Sequence, residues 1–207
     1  MKIICIHNNY ILPQSNNAGD GTLINQRPWV TLKPDSSLLH GGKPMFIPDF
    51  PDGIEWGAAL VLRVCRLGKC VSRKYARRYY DAVTVGVSFK AAGHIADDGC
   101  HIHGNMLYDG FDGATVVGDF VPVDALTVGD EGLSFAVSRN GETVQEGKSD
   151  DLLRGFDSLI ATVSAGTTIK MGDLIFTGFP SEEMPVAVGD NLCGTLCGSK
   201  VLDFRIK

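Results

Sequence analysis

The chain has 207 residues, 44% of them hydrophobic and 21% charged, a balance that is typical of a folded globular protein and excludes a disordered or fibrous one. A net charge of −5 argues against a broad cationic surface for nucleic acid. The 25 glycines and 9 prolines predict many turns and short strands, and do not suit long helices.

The pattern of apolar and turn residues along the chain predicts mainly strands. They are expected at residues 2–7, 29–34, 45–48, 60–65, 82–89, 115–120, 133–139, 142–146, 174–177, 191–196 and 201–206. Two helices are predicted, one at 72–80, which Ser72 can cap, and one near 150–164, where apolar residues recur at helical spacing. Asn140-Gly141 predicts a hairpin turn between two of the strands. The segment 91–112 is irregular and its order is left open.

The sequence contains neither an internal repeat nor a linker, so we expect a single domain over residues 1–207. Its fold class is expected to be α+β, mainly β, with few short helices. No stretch approaches the length of a membrane helix, and the apolar run at residues 1–6 is too short for a signal peptide. Cys5 and Cys65 lie in apolar runs, as expected of buried free thiols, and no cysteine pair has C-x-x-C spacing. These features predict a cytoplasmic protein with no membrane partner.

Several stretches, taken in order, resemble the fumarylacetoacetate hydrolase family nearly end to end. Residues 2–6 with Asn9-Tyr10 resemble the opening strand and N-Y motif of the family, and residues 32–39 (LKPDSSLL) resemble its LKP-S-LL segment. Asn140-Gly141 with Gln145 is similar to its NGE-Q hairpin. Residues 172–180 (GDLIFTGFP) are similar to the PGDLI-TGTP signature, which Gly189-Asp190 follows as in the family.

The resemblance implies a rolled, barrel-like mixed sheet and a homodimer. It also implies Mg²⁺- or Mn²⁺-dependent enzymes that cleave, decarboxylate or isomerise small 2-oxo acids and β-diketones. In such a family member a Glu-x-Glu pair and a distant Asp hold the metal, and a lysine steadies developing charge. An N-terminal His and Glu on a lid supply the base.

The family's site residues are replaced in this sequence. The Glu-x-Glu positions fall on Gly57 and Ala59, and the Asp position falls on Ser88. The lysine falls on Asp109, and the lid His and Glu fall on Pro13 and Asn16. Magnesium needs hard, anionic oxygen ligands, and glycine, alanine and serine supply none. No metal cofactor is therefore predicted.

A shift of the alignment would instead put Glu55 on the first Glu position, with Gly57 on the second. Mg²⁺ or Mn²⁺ is expected only in that case, and at most one of three carboxylates would remain. Family residue types persist at Asn9, Tyr10, Lys33 and Thr177. The candidate pocket residues are these four together with Glu55, Ser88 and Asp109.

The main prediction is thus a family member with a degenerate site. It would be catalytically inactive for the family reaction, or a homodimer that binds a small carboxylate or a protein partner. The alternative is a divergent hydrolase, decarboxylase or isomerase for small 2-oxo acids or β-diketones, with a rebuilt or metal-independent site.

Two further constellations have simpler interpretations. His101 and His103 could join Asp109 in a transition-metal site, but a solvated loop is the preferred interpretation. A basic cluster with interleaved tyrosines occupies residues 63–80, and a solvated face or a dimer contact explains it better than nucleic acid, given the acidic chain. No nucleic-acid partner is predicted.

Overall fold

A computed structural model describes residues 1–10, 28–39, 42–49, 53–92, 106–126 and 132–207. Thirteen strands in the described residues account for most of the regular structure. They are β1 (Ile3–His7), β2 (Trp29–Lys33), β3 (Leu38–Leu39), β4 (Ile54–Val64), β5 (Tyr80–Ala91), β6 (Thr115–Val117), β7 (Val121–Pro122), β8 (Ser134–Arg139), β9 (Glu142–Lys148), β10 (Leu174–Phe176), β11 (Met184–Val186), β12 (Asn191–Leu196) and β13 (Ser199–Arg205). Two α-helices, α1 (Met106–Asp109) and α2 (Phe156–Gly166), and four short 3-10 helices complete the described elements.

The larger sheet has nine strands, with the order β2-β1-β10-β4-β5-β6-β3 and with β11 and β7 paired to β4 and β5. It is mixed, because β1–β10 and β3–β6 are parallel pairs. Its centre is the long antiparallel pair β4–β5, whose nearly continuous apolar residues are buried on both faces of the sheet. The sheet curls into a half-barrel, which confirms the predicted rolled mixed sheet.

The smaller sheet is antiparallel, with the order β13-β12-β8-β9, and packs against β5. Phe89 of β5 meets Phe204 of β13 edge to face, with ring centroids 6.2 Å apart. Asn140 and Gly141 join β8 to β9 with φ of 55° and 90°. Two consecutive positive φ values are those of a type I′ turn, so the predicted hairpin is confirmed.

Two predicted elements differ in the structure. Within the helix predicted at 72–80, residues 73–79 form a 3-10 helix in which only Ala76 is buried, because the segment carries no apolar stripe to hold an α-helix against the core. The strand predicted at 45–48 is reduced to an isolated bridge between Met45 and Ile206. No helix of the described residues is long and apolar enough to span a membrane.

Candidate functional site

A cavity of about 210 Å³ opens on the half-barrel beside β1, β2 and β5. Side chains reach it from strand positions two residues apart, such as Ser88 and Lys90, because alternate residues of a strand face the same side. Tyr108 and Asp109 of α1, and Phe179 and Glu183 after β10, complete the cavity. Its lining is Cys5, His7, Asn8, Trp29, Thr31, Lys33, Ser88, Lys90, Tyr108, Asp109, Phe179 and Glu183.

Lys33 is a buried lysine in this wall. Its Nζ donates hydrogen bonds to the carbonyl oxygens of Phe89 (2.8 Å) and Ala114 (3.1 Å), so it links β2 to the opposite side of the half-barrel. Burial lowers the pKa of Lys33 below its usual value of 10.5, although Cys5 and Asp109 act in the opposite direction. A buried lysine of this kind has a larger neutral fraction than an exposed one.

Lys90 has the opposite electrostatic environment. Its Nζ lies 3.0 Å from Glu183 Oε2 and 3.4 Å from Glu55 Oε2, and it is hydrogen-bonded to Tyr108. Partial burial disfavours the charged form, but the hydrogen bond and charge of Glu183 outweigh it and raise the pKa of Lys90. The same cavity therefore holds one lysine that is kept charged and one whose charge is disfavoured.

An aromatic wall faces these charges. The His7 ring lies 4.9 Å from that of Trp29 and 5.8 Å from that of Phe179, measured between centroids. His7 Nε2 and Thr31 Oγ1 are 2.9 Å apart, within hydrogen-bond distance. Flat rings beside two lysine side chains suit a small, flat, oxygen-rich molecule better than a bulky apolar one.

The three positions that the resemblance assigns to metal ligands do not fit a divalent cation. A Cβ added at Gly57 would stand 2.9 Å from Phe179 Cδ1, so the aromatic ring fills the space of a ligand side chain. Ala59 is fully buried among apolar side chains that include Phe176, and Ser88 contributes a single neutral hydroxyl. In the described part of the chain, no three His, Cys, Asp or Glu side chains are grouped so that they could hold a metal ion.

The sequence-predicted pocket residues divide into two groups. Lys33, Ser88 and Asp109 line the cavity, and Glu55 lies behind it in contact with Lys90. Asn9, Tyr10 and Thr177 are buried outside the lining. The predicted residues Pro13, Asn16, His101 and His103 lie outside the described residues.

Asn9 and Thr177 support the end of β1 and of β10. Asn9 Nδ2 donates to the carbonyl oxygens of Arg154 (3.0 Å) and Thr177 (2.7 Å), and Asn9 Oδ1 accepts from the Arg154 backbone N–H (3.0 Å). Thr177 Oγ1 donates to Leu60 O (3.1 Å). Burial raises the pKa of the Tyr10 hydroxyl above its usual value. The hydrogen bonds account for Asn9 and Thr177 as parts of the scaffold.

Gln145 joins the smaller sheet to the candidate site. Its Oε1 accepts the backbone N–H of Ala58 at 2.7 Å, and its Nε2 donates to Glu182 O at 3.3 Å. The same side chain therefore holds β4 between Gly57 and Ala59 and fixes the segment that carries Glu183. The resemblance identified Gln145 only as part of a hairpin.

Sequence reasoning missed Lys90, Tyr108, Phe179 and Glu183. Lys90 had a usable signal, since it lies two residues after Ser88 on a strand and must face the same side. Glu183 had none, because its approach to Lys90 depends on the pairing of β11 with the start of β4, Met184 lying opposite Trp56.

The basic cluster is partly neutralised within the chain. Arg63 forms a two-pronged ion pair with Asp81, at 2.9 and 3.0 Å, and Arg77 pairs with Asp124. Arg63 also lies over the Phe120 ring, 5.2 Å from its centroid. Arg63 and Arg77 are therefore engaged in contacts within the chain.

Comparison with known proteins places this architecture in one family. The model of the fumarylacetoacetate (FAA) hydrolase C-terminal domain matches residues 2–196. Oxaloacetate tautomerase FAHD1 of Arabidopsis thaliana is 25% identical over 206 residues, covering 100% of this chain and 91% of the relative. Oxaloacetate tautomerase YcgM of Escherichia coli is 23% identical over 205 residues, covering 95% and 89%.

Solved structures share the fold. Fumarylpyruvate hydrolase from Pseudomonas aeruginosa, determined with Mn²⁺ and pyruvate, superposes with a TM-score of 0.84 at 18% identity and covers 100% of this chain and 89% of its own. The 5-carboxymethyl-2-hydroxymuconate delta-isomerase from Mycobacterium smegmatis gives 0.84 at 23% identity, covering 99% and 78%. The chain therefore belongs to the fumarylacetoacetate hydrolase family.

Proposed function

We propose that this protein moves a proton on a small 2-oxo acid or β-diketone, in the manner of a keto–enol tautomerase, without a divalent cation. The relatives named as oxaloacetate tautomerases support the reaction class. The observation that carries the proposal is the presence of two lysines with opposite pKa shifts in one cavity, Lys33 lowered and Lys90 raised. Titratable groups whose environments drive their pKa values apart are suited to acid and base roles.

Tautomerisation needs few groups. A proton leaves the carbon next to the carbonyl and another is added to the carbonyl oxygen, so no carbon–carbon bond breaks and nothing is oxidised or reduced. The site must supply a proton acceptor near that carbon and a donor or positive charge near that oxygen.

Lys33 is our proposed proton acceptor. In its neutral form the two hydrogens of the amine can both be donated, to Phe89 O and Ala114 O, and the lone pair is then left for the cavity that Lys33 lines. The lowered pKa increases the population of this form. The Ser88 hydroxyl and the Lys90 ammonium line the same cavity as donors for the substrate oxygen.

The test follows oxaloacetate tautomerisation by the ultraviolet absorbance of the enol, in the presence of EDTA. We expect catalysis by the wild type, and its loss in Lys33→Arg, because arginine keeps the charge and donors but does not give up its proton. Lys200→Met is the matched control, since Lys200 is exposed and paired with Asp203 outside the cavity lining. Activity that requires Mg²⁺ or Mn²⁺ and survives in Lys33→Arg would refute the proposal.

A second candidate is a protein that binds a small carboxylate without turning it over. The observation in its favour is the glycine, alanine and serine at the family's ligand positions, which provide no anionic anchor for a metal. Tight binding of pyruvate or oxalate with no catalysis of any 2-oxo acid would favour it over the tautomerase.

We also propose that the chain forms a homodimer. Among the described strands, β2 lies at the edge of the larger sheet, and it exposes the apolar side chains of Trp29, Val30 and Leu32. A second copy would cover this edge and its apolar surface. Light scattering on the purified protein should give twice the chain mass, and Leu32→Lys should shift the protein towards the monomer.

A further inference from the structure

A cation lies close, along the sheet, to two of the family's ligand positions. On the paired strands β4 and β5, Gly57 lies opposite Ser88, and the next pair on the same face is Glu55 opposite Lys90. Lys90 therefore belongs to the residue pair next to Gly57 and Ser88 on the same face of the sheet, and these are two of the positions where the resemblance places metal ligands. It also lines the cavity.

Two carboxylates hold this ammonium in place. Glu183 Oε2 is 3.0 Å from Lys90 Nζ and Glu55 Oε2 is 3.4 Å away, and all three side chains are only partly exposed, at 34%, 36% and 23% for Glu183, Glu55 and Lys90. Ion pairs with this much shielding hold their geometry better than fully exposed ones. Tyr108, which also lines the cavity, adds a hydrogen bond to Lys90.

The longer contact to Glu55 leaves room for a ligand. An ammonium has three hydrogens, and the contacts to Glu183, at 3.0 Å, and to Tyr108 engage two of them. The third can turn from Glu55 to a ligand oxygen in the cavity while both of these contacts are kept. Glu55 and Glu183 thus surround a cation that is covalently attached to the chain, and not a free metal ion.

We propose that Lys90, anchored by Glu183 and Glu55, is the resident cation of this site and contacts the oxyanion of a 2-oxo acid or its enolate. Lys90 then provides the positive charge that the divalent cation provides in metal-dependent family members. The inference rests on the proposed function for the class of ligand, but it concerns binding and can be tested without turnover. A lysine is a point charge with one ligand-facing donor, so it suits a single enolate or carboxylate oxygen.

The experiment measures oxalate binding by calorimetry in buffer containing EDTA, since oxalate is a flat dianion that resembles an enolate of a 2-oxo acid. We expect the wild type to bind, Lys90→Met and Lys90→Gln to bind at least about tenfold more weakly, and Lys90→Arg to stay within about threefold. Lys200→Met should match the wild type. Thermal melting of each variant verifies that it is folded, and two neutral variants guard against a folding failure in one.

Two results would overturn the inference. One is an unchanged oxalate affinity in folded Lys90→Met or Lys90→Gln, and the other is wild-type binding that appears only when Mg²⁺ or Mn²⁺ is added. Failure of the proposed function is separate: a Lys90-dependent oxalate affinity without any turnover supports the resident cation and rejects the tautomerase. Turnover together with an oxalate affinity that does not depend on Lys90 supports the tautomerase and rejects Lys90 as the resident cation.

Discussion

The contact between Phe179 and Gly57 can be tested by a double-mutant cycle. A Cβ at residue 57 would lie 2.9 Å from Phe179 Cδ1 and 3.4 Å from Glu183 Cγ. Carbon atoms prefer a separation of about 3.5–4.0 Å, so the ring would have to move by roughly 0.6–1 Å. Overpacking of this kind costs about 1–3 kcal/mol, and we expect Gly57→Ala to destabilise the protein by about that amount.

Removal of the Phe179 ring should make Gly57→Ala stabilising instead of destabilising. Phe179→Ala alone loses a half-buried aromatic side chain, at a cost of about 2 kcal/mol, below the range for a fully buried phenylalanine. In that background, alanine at residue 57 has space, and it gains about 0.5–1 kcal/mol over a glycine within a strand. The two substitutions should therefore couple by about 1.5–4 kcal/mol, each reducing the cost of the other.

Urea unfolding of the wild type, both single variants and the double variant measures the four free energies of unfolding. Gly166→Ala is the matched control, because a Cβ added at Gly166 meets no atom within 4 Å and its effect should add to that of Phe179→Ala. Additivity of the Gly57 and Phe179 substitutions within about 0.5 kcal/mol would refute the conclusion that the ring occupies the first ligand position.

Three other predictions concern buried groups. Asn9→Asp should destabilise the protein more than Asn9→Ala, each by about 3 kcal/mol or more in urea unfolding, because aspartate would turn an oxygen towards two carbonyl oxygens that now accept from Nδ2. Equal stability of Asn9→Asp and wild type would contradict this. Cys5 should resist alkylation at pH 8 while the exposed Cys70 reacts, since burial raises the pKa of the Cys5 thiol to about 11; mass spectrometry of the labelled peptides decides. The lowered pKa of Lys33 means that the unfolded chain binds more protons there, so wild-type stability should rise relative to Lys33→Met as the pH increases towards 10.5. Urea titrations from pH 7 to 10 measure the difference in stability between the wild type and Lys33→Met. A difference that stays constant or falls with pH would show that burial does not lower the pKa of Lys33.

Much of the scaffold could be predicted from local pattern. The apolar run before Cys65 and the one at 82–89 became the central strands, and Asn140-Gly141 formed its turn, because both signals are properties of a few neighbouring residues. The segment 73–79 was harder, since its basic and aromatic residues have helical propensity but no apolar face, and tertiary packing selected a 3-10 helix.

The site was only partly predictable because its walls come from distant parts of the chain. Lys33 on β2 reaches Phe89 on β5 across the curled sheet, a contact that no local pattern contains. The pairing of Glu55 with Lys90 depends on the register of β4 against β5, and a connection from Val64 to Tyr80 does not fix that register as a two-residue turn would. The anchor from Glu183 requires in addition the pairing of β11 with β4.

The replacements around Gly57 form one coupled change in volume and charge. Phe179 stands in the TGFP stretch where the family pattern has threonine, so a larger side chain in the loop accompanies a smaller one on the strand, and the total volume is nearly kept. The charges follow the same logic: carboxylates remain nearby as Glu55 and Glu183, and the positive charge they face is the covalently attached ammonium of Lys90. Simple decay of a metal site would leave a void or an unbalanced charge at this point of the sheet. In the arrangement that we propose, the Phe179 ring beside Gly57 and the Lys90 ammonium between two carboxylates balance both the volume and the charge at this point.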